Sequence, residues 1–312
     1  MAFKNSLKLL ASNFSVVWKH LVYVLITTLI SVGLVLAFAN PVIEVLRESG
    51  WIGTASGLIK TLYTEPIAIF DVVKELALTF FGVIYASFPS IWFSVIGLVL
   101  CGYFVPTFLA GIGFYNVTSV VQKQMTSLLC VGYTQNMIST LKSSTKYSLM
   151  KIAIKIPFDL VKLFLIVSFF RLSTSFFTNL IFLSLLTLGL ILVSGLEITS
   201  IAAFAPCMVD IGGNPFRSFS KSIVPVFKKF MKTYSNAIVI TLCSVLVNML
   251  LGVFTVFSSL LVTIPASAVF VAIFGNVVYL SSNQKRYYLS KSIIVNPSND
   301  ENKLDTKHQT GV

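Results

Sequence analysis

The chain has 312 residues, 56% of them hydrophobic and 11% charged, whereas a soluble globular domain carries about 25% charged residues. With a mean hydropathy of +0.89, this composition excludes a water-soluble globule and demands a fold that pairs its peptide groups inside lipid, either helices or a closed barrel. The net charge of +12 is a statement about membrane orientation before it is one about nucleic acid.

In chain order, Phe3, Leu7, Leu10, Phe14, Val17 and Leu21 recur at alternating spacings of four and three, with Lys4, Lys8, Ser12, Ser15 and Lys19 on the opposite side. That pattern predicts an amphipathic helix lying in the interface. Residues 21–39 are uncharged and cover about 28 Å as a helix, enough for a first span. Ala37, Phe38 and Ala39 imitate a signal-peptidase site, but twenty residues precede the apolar run and Pro41 follows closely, so the run is read as a span. The continuity of such runs, apolar on all sides, favours helices over the alternating strands of a barrel.

No charge occurs from Leu76 to Gln122. A second span is predicted at 90–117, after Pro89, and a separate outer-surface helix at 66–87, with Pro66 in its first turn and a polar stripe of Asp71, Lys74, Glu75 and Thr79. The segment 119–155 holds Lys123, Lys142, Lys146, Lys151 and Lys155 without an acid, the signature of a cytoplasmic loop. A third span follows at 156–170, interrupted by Asp159 and Lys162. Arg171, Ser173, Thr174 and Ser175 mark an outer turn, and a fourth span returns over 179–206. A second basic loop carries Arg217, Lys221, Lys228, Lys229 and Lys232. Before the fifth span, Phe216, Phe219, Ile223, Phe227 and Phe230 form one side of a helix whose other side is basic. The fifth and sixth spans are predicted at 236–257 and 263–282, and residues 285–312 as a polar, disordered cytoplasmic tail.

The predicted class is therefore an all-α polytopic membrane protein of six spans within one transmembrane domain, residues 1–284. With this topology eighteen of the 23 Lys and Arg residues fall inside, which orients both termini to the cytoplasm. The basic flanks imply attraction to anionic lipid headgroups at the cytoplasmic face rather than nucleic acid binding. They also suggest a threefold repeat of basic amphipathic helix, outgoing span and returning span. Recurrent positive-inside flanks explain the same pattern without any repeat.

The loop after the fourth span holds Pro206, Asp210, Gly212, Gly213, Pro215, Phe216, Phe219, Ser220 and Ser222, and two further spans follow it. In this it resembles bacterial six-helix integral membrane families, without an assigned function, related to the membrane domain of glycerophosphodiester phosphodiesterases. The resemblance implies a bacterial cell-membrane protein. The phosphodiesterase chemistry of those enzymes belongs to a separate barrel domain of which this sequence shows no trace. Read as residues, Gly212 and Gly213 permit a tight turn, Pro215 restarts a helix and Asp210 favours its N-terminal dipole. The alternative role of Pro206, Asp210, Gly212, Gly213, Pro215, Phe216 and Ser220 is to bind a lipid head or a partner.

Chemistry-bearing residues are sparse. Cys101, Cys130, Cys207 and Cys243 are widely separated, and His20 and His308 are the only histidines, so neither a metal site, a disulfide framework nor a catalytic triad is expected. No cofactor is implied, and the chain is not expected to be an enzyme. At membrane depth stand Asp159, Lys162 and Glu197, each costly there unless paired or hydrated. The expectation is that Lys162 pairs with Glu197 while Asp159, three residues away on the same face, completes a small network. Snorkelling of Asp159 and Lys162, or a pair that only sets helix register, is the structural alternative. Gly111, Gly113, Gly189 and Gly195 are read as close helix contacts, and Asn179 and Asn248 as interhelical hydrogen-bonding groups. The function expected is action in the membrane through bound lipid or a membrane-protein partner, with a transporter or channel subunit as the alternative.

Overall fold

The computed structural model describes residues 2–65, 69–172, 176–212, 214–255, 258–290 and 293–297. Its helices are α1 (Ala2–Ser12), α2 (Phe14–Glu48), α3 (Trp51–Thr64), α4 (Ile69–Val99), α5 (Val105–Ser127), α6 (Tyr133–Leu172), α7 (Phe176–Ile201), α8 (Phe204–Ile211), α9 (Pro215–Lys228), α10 (Phe230–Phe254) and α11 (Leu260–Ser282). A five-residue π-helical turn, Leu100–Phe104, joins α4 to α5 without a break. Two short antiparallel strands follow, β1 (Tyr287–Ser290) and β2 (Ile293–Val295), with Tyr287 opposite Val295 and Tyr288 opposite Ile294.

Five runs are long and apolar enough to cross a membrane: Phe14–Glu48, Asp71–Ser127, Thr178–Ile211, Phe230–Phe254 and Leu260–Ser282. The protein is thus a helical, multi-pass membrane protein. The expected third span at 156–170 lies inside α6 but is not among the five, because Lys155, Asp159, Lys162 and Arg171 crowd its apolar stretch.

The expected boundary at Pro89 is also corrected. Pro89 sits inside α4, which runs on through the π turn and α5, so no separate helix ends at 87; Pro66 and its neighbours lie outside the described residues. The reason is the solvent. Ending a helix orphans about four N–H and four C=O groups, whereas an internal proline removes one donor. At the next proline, Pro106, the helix adjusts locally: the Val105 N–H reaches back five residues to the Leu100 carbonyl. Ala202 and Ala203 interrupt the expected fourth span, separating α7 from α8. The tail is corrected as well, since residues 287–290 and 293–295 form the hairpin and Tyr287 is buried.

The chain divides into two compact units. Unit 1 comprises Met1–Ile26, Phe108–Phe158 and Ile191–Val312. Its centre is α11, whose Val269, Ile273, Phe274, Val277 and Leu280 are fully buried, covered by α1, α8, α9 and α10. Phe3 of α1 meets Phe270 edge-on at 5.7 Å. Gly275 faces the Ala202 carbonyl so closely that a Cβ there would overlap it. Tyr147 lies among Phe114, Tyr115 and Phe204, with the Tyr147 and Phe204 centroids 4.9 Å apart.

Unit 2 comprises Thr27–Thr107 and Asp159–Leu190. Val42, Leu46 and Ile91 form its small core with Trp51, Phe80 and Ile84 around them, and the Trp51 indole donates to the Leu76 carbonyl at 2.8 Å. Its outer surface is apolar: Leu29, Phe81, Phe93, Phe164 and Ile181 are all exposed. Patches of that kind suit lipid and not water.

The close approach at Gly275 makes a test of this packing. Gly275→Ala is expected to cost about 1–3 kcal/mol, read as a lower unfolding temperature in detergent. Gly53→Ala, in α3 with nothing near its Cβ position, should be neutral or stabilising by up to about 1 kcal/mol.

Candidate functional site

Unit 1 carries its polar groups inside. One turn of α5 after another is enclosed, from Gly111 to Gln122, and this buried stretch includes Asn116, Thr118, Ser119 and Gln122. Gly111 opens the seam: a Cβ there would overlap the Ser148 hydroxyl, and that hydroxyl donates to the Phe108 carbonyl. The approach of α6 to α5 thus depends on a missing side chain.

From there a chain of hydrogen bonds runs across the start of α6. The Asn116 amide donates to the Tyr133 carbonyl at 3.1 Å, and the Asn136 amide donates to Asn116 Oδ1 at 2.7 Å. Asn136 Oδ1 in turn accepts from Lys123 Nζ at 2.7 Å and from Ser119 Oγ at 3.4 Å. The Tyr133 hydroxyl lies 3.1 Å from His20 Nδ1, and burial pushes that hydroxyl above its ordinary pKa of 10.0 against the lowering effect of Asn116. On α11, the Asn276 amide donates to the Thr118 carbonyl at 3.2 Å. His20 and the Asn116–Asn136 pair were not among the sequence candidates. The available signal was the cluster of amides at 116, 122, 124, 135 and 136 within apolar surroundings.

Lys151 of α6 sits over aromatic rings, its ammonium 4.3 Å from the Phe114 centroid and 6.0 Å from that of Tyr147, a cation–π arrangement. Burial lowers its pKa from 10.5 to about 8, partly opposed by Glu197 and reinforced by Lys155. Glu197, buried in α7, is therefore electrostatically tied to Lys151 within unit 1. Asp159 and Lys162 belong to unit 2. There Lys162 Nζ lies 3.5 Å from Asp159 Oδ1, and the Tyr103 hydroxyl donates to Asp159 Oδ2 at 2.6 Å.

In the 206–222 region Pro206 is buried within α8, and Gly212 ends that helix at φ +75°, a conformation suited to glycine. Gly213 lies outside the described residues. Asn214 caps α9, its Oδ1 accepting from the Arg217 N–H at 3.3 Å, with Pro215 in the first turn. Asp210 does not serve that helix start. Its Oδ2 accepts from Lys285 Nζ at 2.6 Å and from the Tyr279 hydroxyl at 2.7 Å, which pins α8 to the end of α11. Phe216 is 72% exposed and Phe227 64%, while Ser218, Ser222 and Val226 form the buried side of α9; Ser220 is exposed.

The buried side of α1 and the start of α2 is likewise Ser6, Leu9, Asn13, Val16, Val17 and His20, with Leu7 and Phe14 exposed. Of the asparagines read as interhelical bonding groups, Asn179 and Asn248 each keep an amide oxygen without a partner among the described residues. Also among the described residues, no three His, Cys, Asp or Glu side chains converge as metal ligands. Comparison of the chain with protein-family models, curated proteins and solved structures finds no match.

Two outcomes test this interior. Asn136→Leu leaves Asn116 Oδ1 and Lys123 without their partner and is expected to cost about 1–3 kcal/mol in detergent unfolding. Lys151 binds fewer protons folded than unfolded between about pH 8 and pH 10.5, so stability should rise as pH rises through that window. Lys151→Met should flatten the rise; an unchanged pH profile would refute the burial of the charge.

Proposed function

We propose that this is a non-enzymatic, six-span protein of a bacterial cytoplasmic membrane, both termini inside, that acts through bound lipid or a membrane-protein partner. The observation that carries the reading is the partition in unit 1: side-chain amides, hydroxyls and Lys151 point inward into a hydrogen-bonded seam, while exposed Phe216, Phe227 and Phe254 face outward. Such a body is built to sit in lipid and to keep one polar interior arrangement. The resemblance of the 206–222 loop to bacterial membrane families supports the same assignment.

The further crossing that makes six is the third span, at 156–170 of α6. Asp159 and Lys162 satisfy one another there, with Tyr103 as a further donor to Asp159, which reduces the cost of carrying them through hydrocarbon. The same charged group favours the second reading, a transporter or channel subunit, because ionisable residues at such depth are a common feature of solute pathways.

Topology and ligand are separately measurable. In a cysteine-free background, Thr174→Cys should react with an impermeant maleimide only from outside, and a restored Cys130, which is exposed, only from inside. Thr174→Cys labelled from the inside would remove the crossing at 156–170. Native mass spectrometry of the wild type beside Glu197→Gln tests the ligand. Retained phospholipid in both supports lipid association, and a bound solute lost in the variant supports transport. A partner protein held equally by both supports an assembly role.

A further inference from the structure

The remaining cavity of chemical interest lies in unit 1, where the first turn of α10, the last turn of α11, α1 and the hairpin meet. It has a volume of about 140 Å³ and is lined by Asn5, Lys229, Lys232, Thr233, Ser281 and Ser282 together with Asn236, Tyr287 and apolar neighbours. Among the described residues the lining holds no carboxylate. It is far larger than the space one water needs, roughly 10–15 Å³. Lys229, the residue before α10, and Lys232, in its first turn, are both exposed. Thr233 and the paired Ser281 and Ser282 add hydroxyls, and Asn5 is held in place by its hydrogen bond to the Tyr287 hydroxyl at 2.9 Å.

Two cations and several hydroxyls around one hollow are the recognition chemistry of a phosphate group. Flanking residues point to where that phosphate comes from. Phe227 and Met231 are exposed beside the lysines, and Phe230 stacks between Phe227 and Tyr234 with centroids 5.6 Å apart on each side. Apolar and aromatic groups next to lysines at the end of a spanning helix are the arrangement of a headgroup-level site with acyl chains alongside.

We infer that this cavity binds a phosphate, that of an anionic phospholipid headgroup at the end of α10 and α11, with free phosphate as the other source of the same chemistry. The inference rests on the lipid-associated reading above and assigns it a place. Of the five basic residues in the second basic loop, it selects two.

The test is native mass spectrometry of the full chain, released from vesicles of phosphatidylcholine with phosphatidylglycerol, and separately of the detergent-purified chain with inorganic phosphate. Wild type should retain phosphatidylglycerol. Lys229→Gln with Lys232→Gln should lower retention roughly thirtyfold, the effect of two near-surface charges. Lys229→Arg with Lys232→Arg should restore it, and Arg217→Gln with Lys221→Gln should leave it unchanged. Retention of inorganic phosphate but not of phosphatidylglycerol, lost in the same double variant, supports the site with a soluble ligand. Equal loss in the Arg217 and Lys221 control overturns it in favour of diffuse charge. Undiminished lipid in the Lys229 and Lys232 variant overturns the site while leaving the lipid-associated reading intact, and a bare wild type removes both.

Discussion

Hydrocarbon offers peptide groups no hydrogen-bonding partner, and most features of this protein follow from that single constraint. A helix satisfies its own backbone, and each end it makes inside lipid leaves several groups without partners. Helices here consequently run through proline where a water-soluble chain would turn. Pro41, Pro89, Pro157 and Pro265 all lie inside helices, and the approach to Pro106 is managed by one π turn. A proline in such a chain marks a local change of hydrogen-bond register before it marks a boundary.

The same solvent broadens what an amphipathic face can bury. In water the apolar side of a helix is the buried side; beside lipid, aromatic side chains are content to remain outside, and protein contacts are made by small and polar residues that pack closely or bond to one another. Both amphipathic segments bury a mixture of the two kinds. α9 buries Ser218, Ser222 and Val226 and exposes Phe216 and Phe227, and the N-terminal segment buries Ser6, Leu9, Asn13, Val16, Val17 and His20 and exposes Leu7 and Phe14. The periodicity identified these segments as helices with two unlike sides, but the choice of side depends on which partner is nearby and so lay outside the sequence.

Each buried polar group in turn needs a partner, because an unmet donor or acceptor in a low-dielectric interior costs more than a met one gains. Unit 1 meets this need with a chain of contacts, from Lys123 and Ser119 through Asn136 and Asn116 to Tyr133 and His20. Unit 2 does so more sparingly, around Asp159. Asp210 shows how a short motif is reassigned by its surroundings. Its spacing before Pro215 suits a helix start, yet Lys285 and Tyr279 are stronger donors than a distant dipole, and the carboxylate turns to them.

What the sequence determined by itself is what depends on composition and periodicity: the membrane class, the helices, the apolar runs near 21–39, 236–257 and 263–282, and the small residues where helices close. Asp159 and Lys162 were legible as neighbours because three residues along a helix fixes their geometry whatever else is present. The tertiary structure alone decided the contacts between residues far apart in the chain. These are the pairing of Asn116 with Asn136, of Lys151 with Phe114, of Asp210 with Lys285 and of Asn5 with Tyr287, and the placing of Lys229 and Lys232 beside Asn5, Ser281 and Ser282 at one cavity. Local pattern carries no record of such partners, since a polar residue in an apolar stretch announces only that it needs one, and packing in three dimensions supplies it.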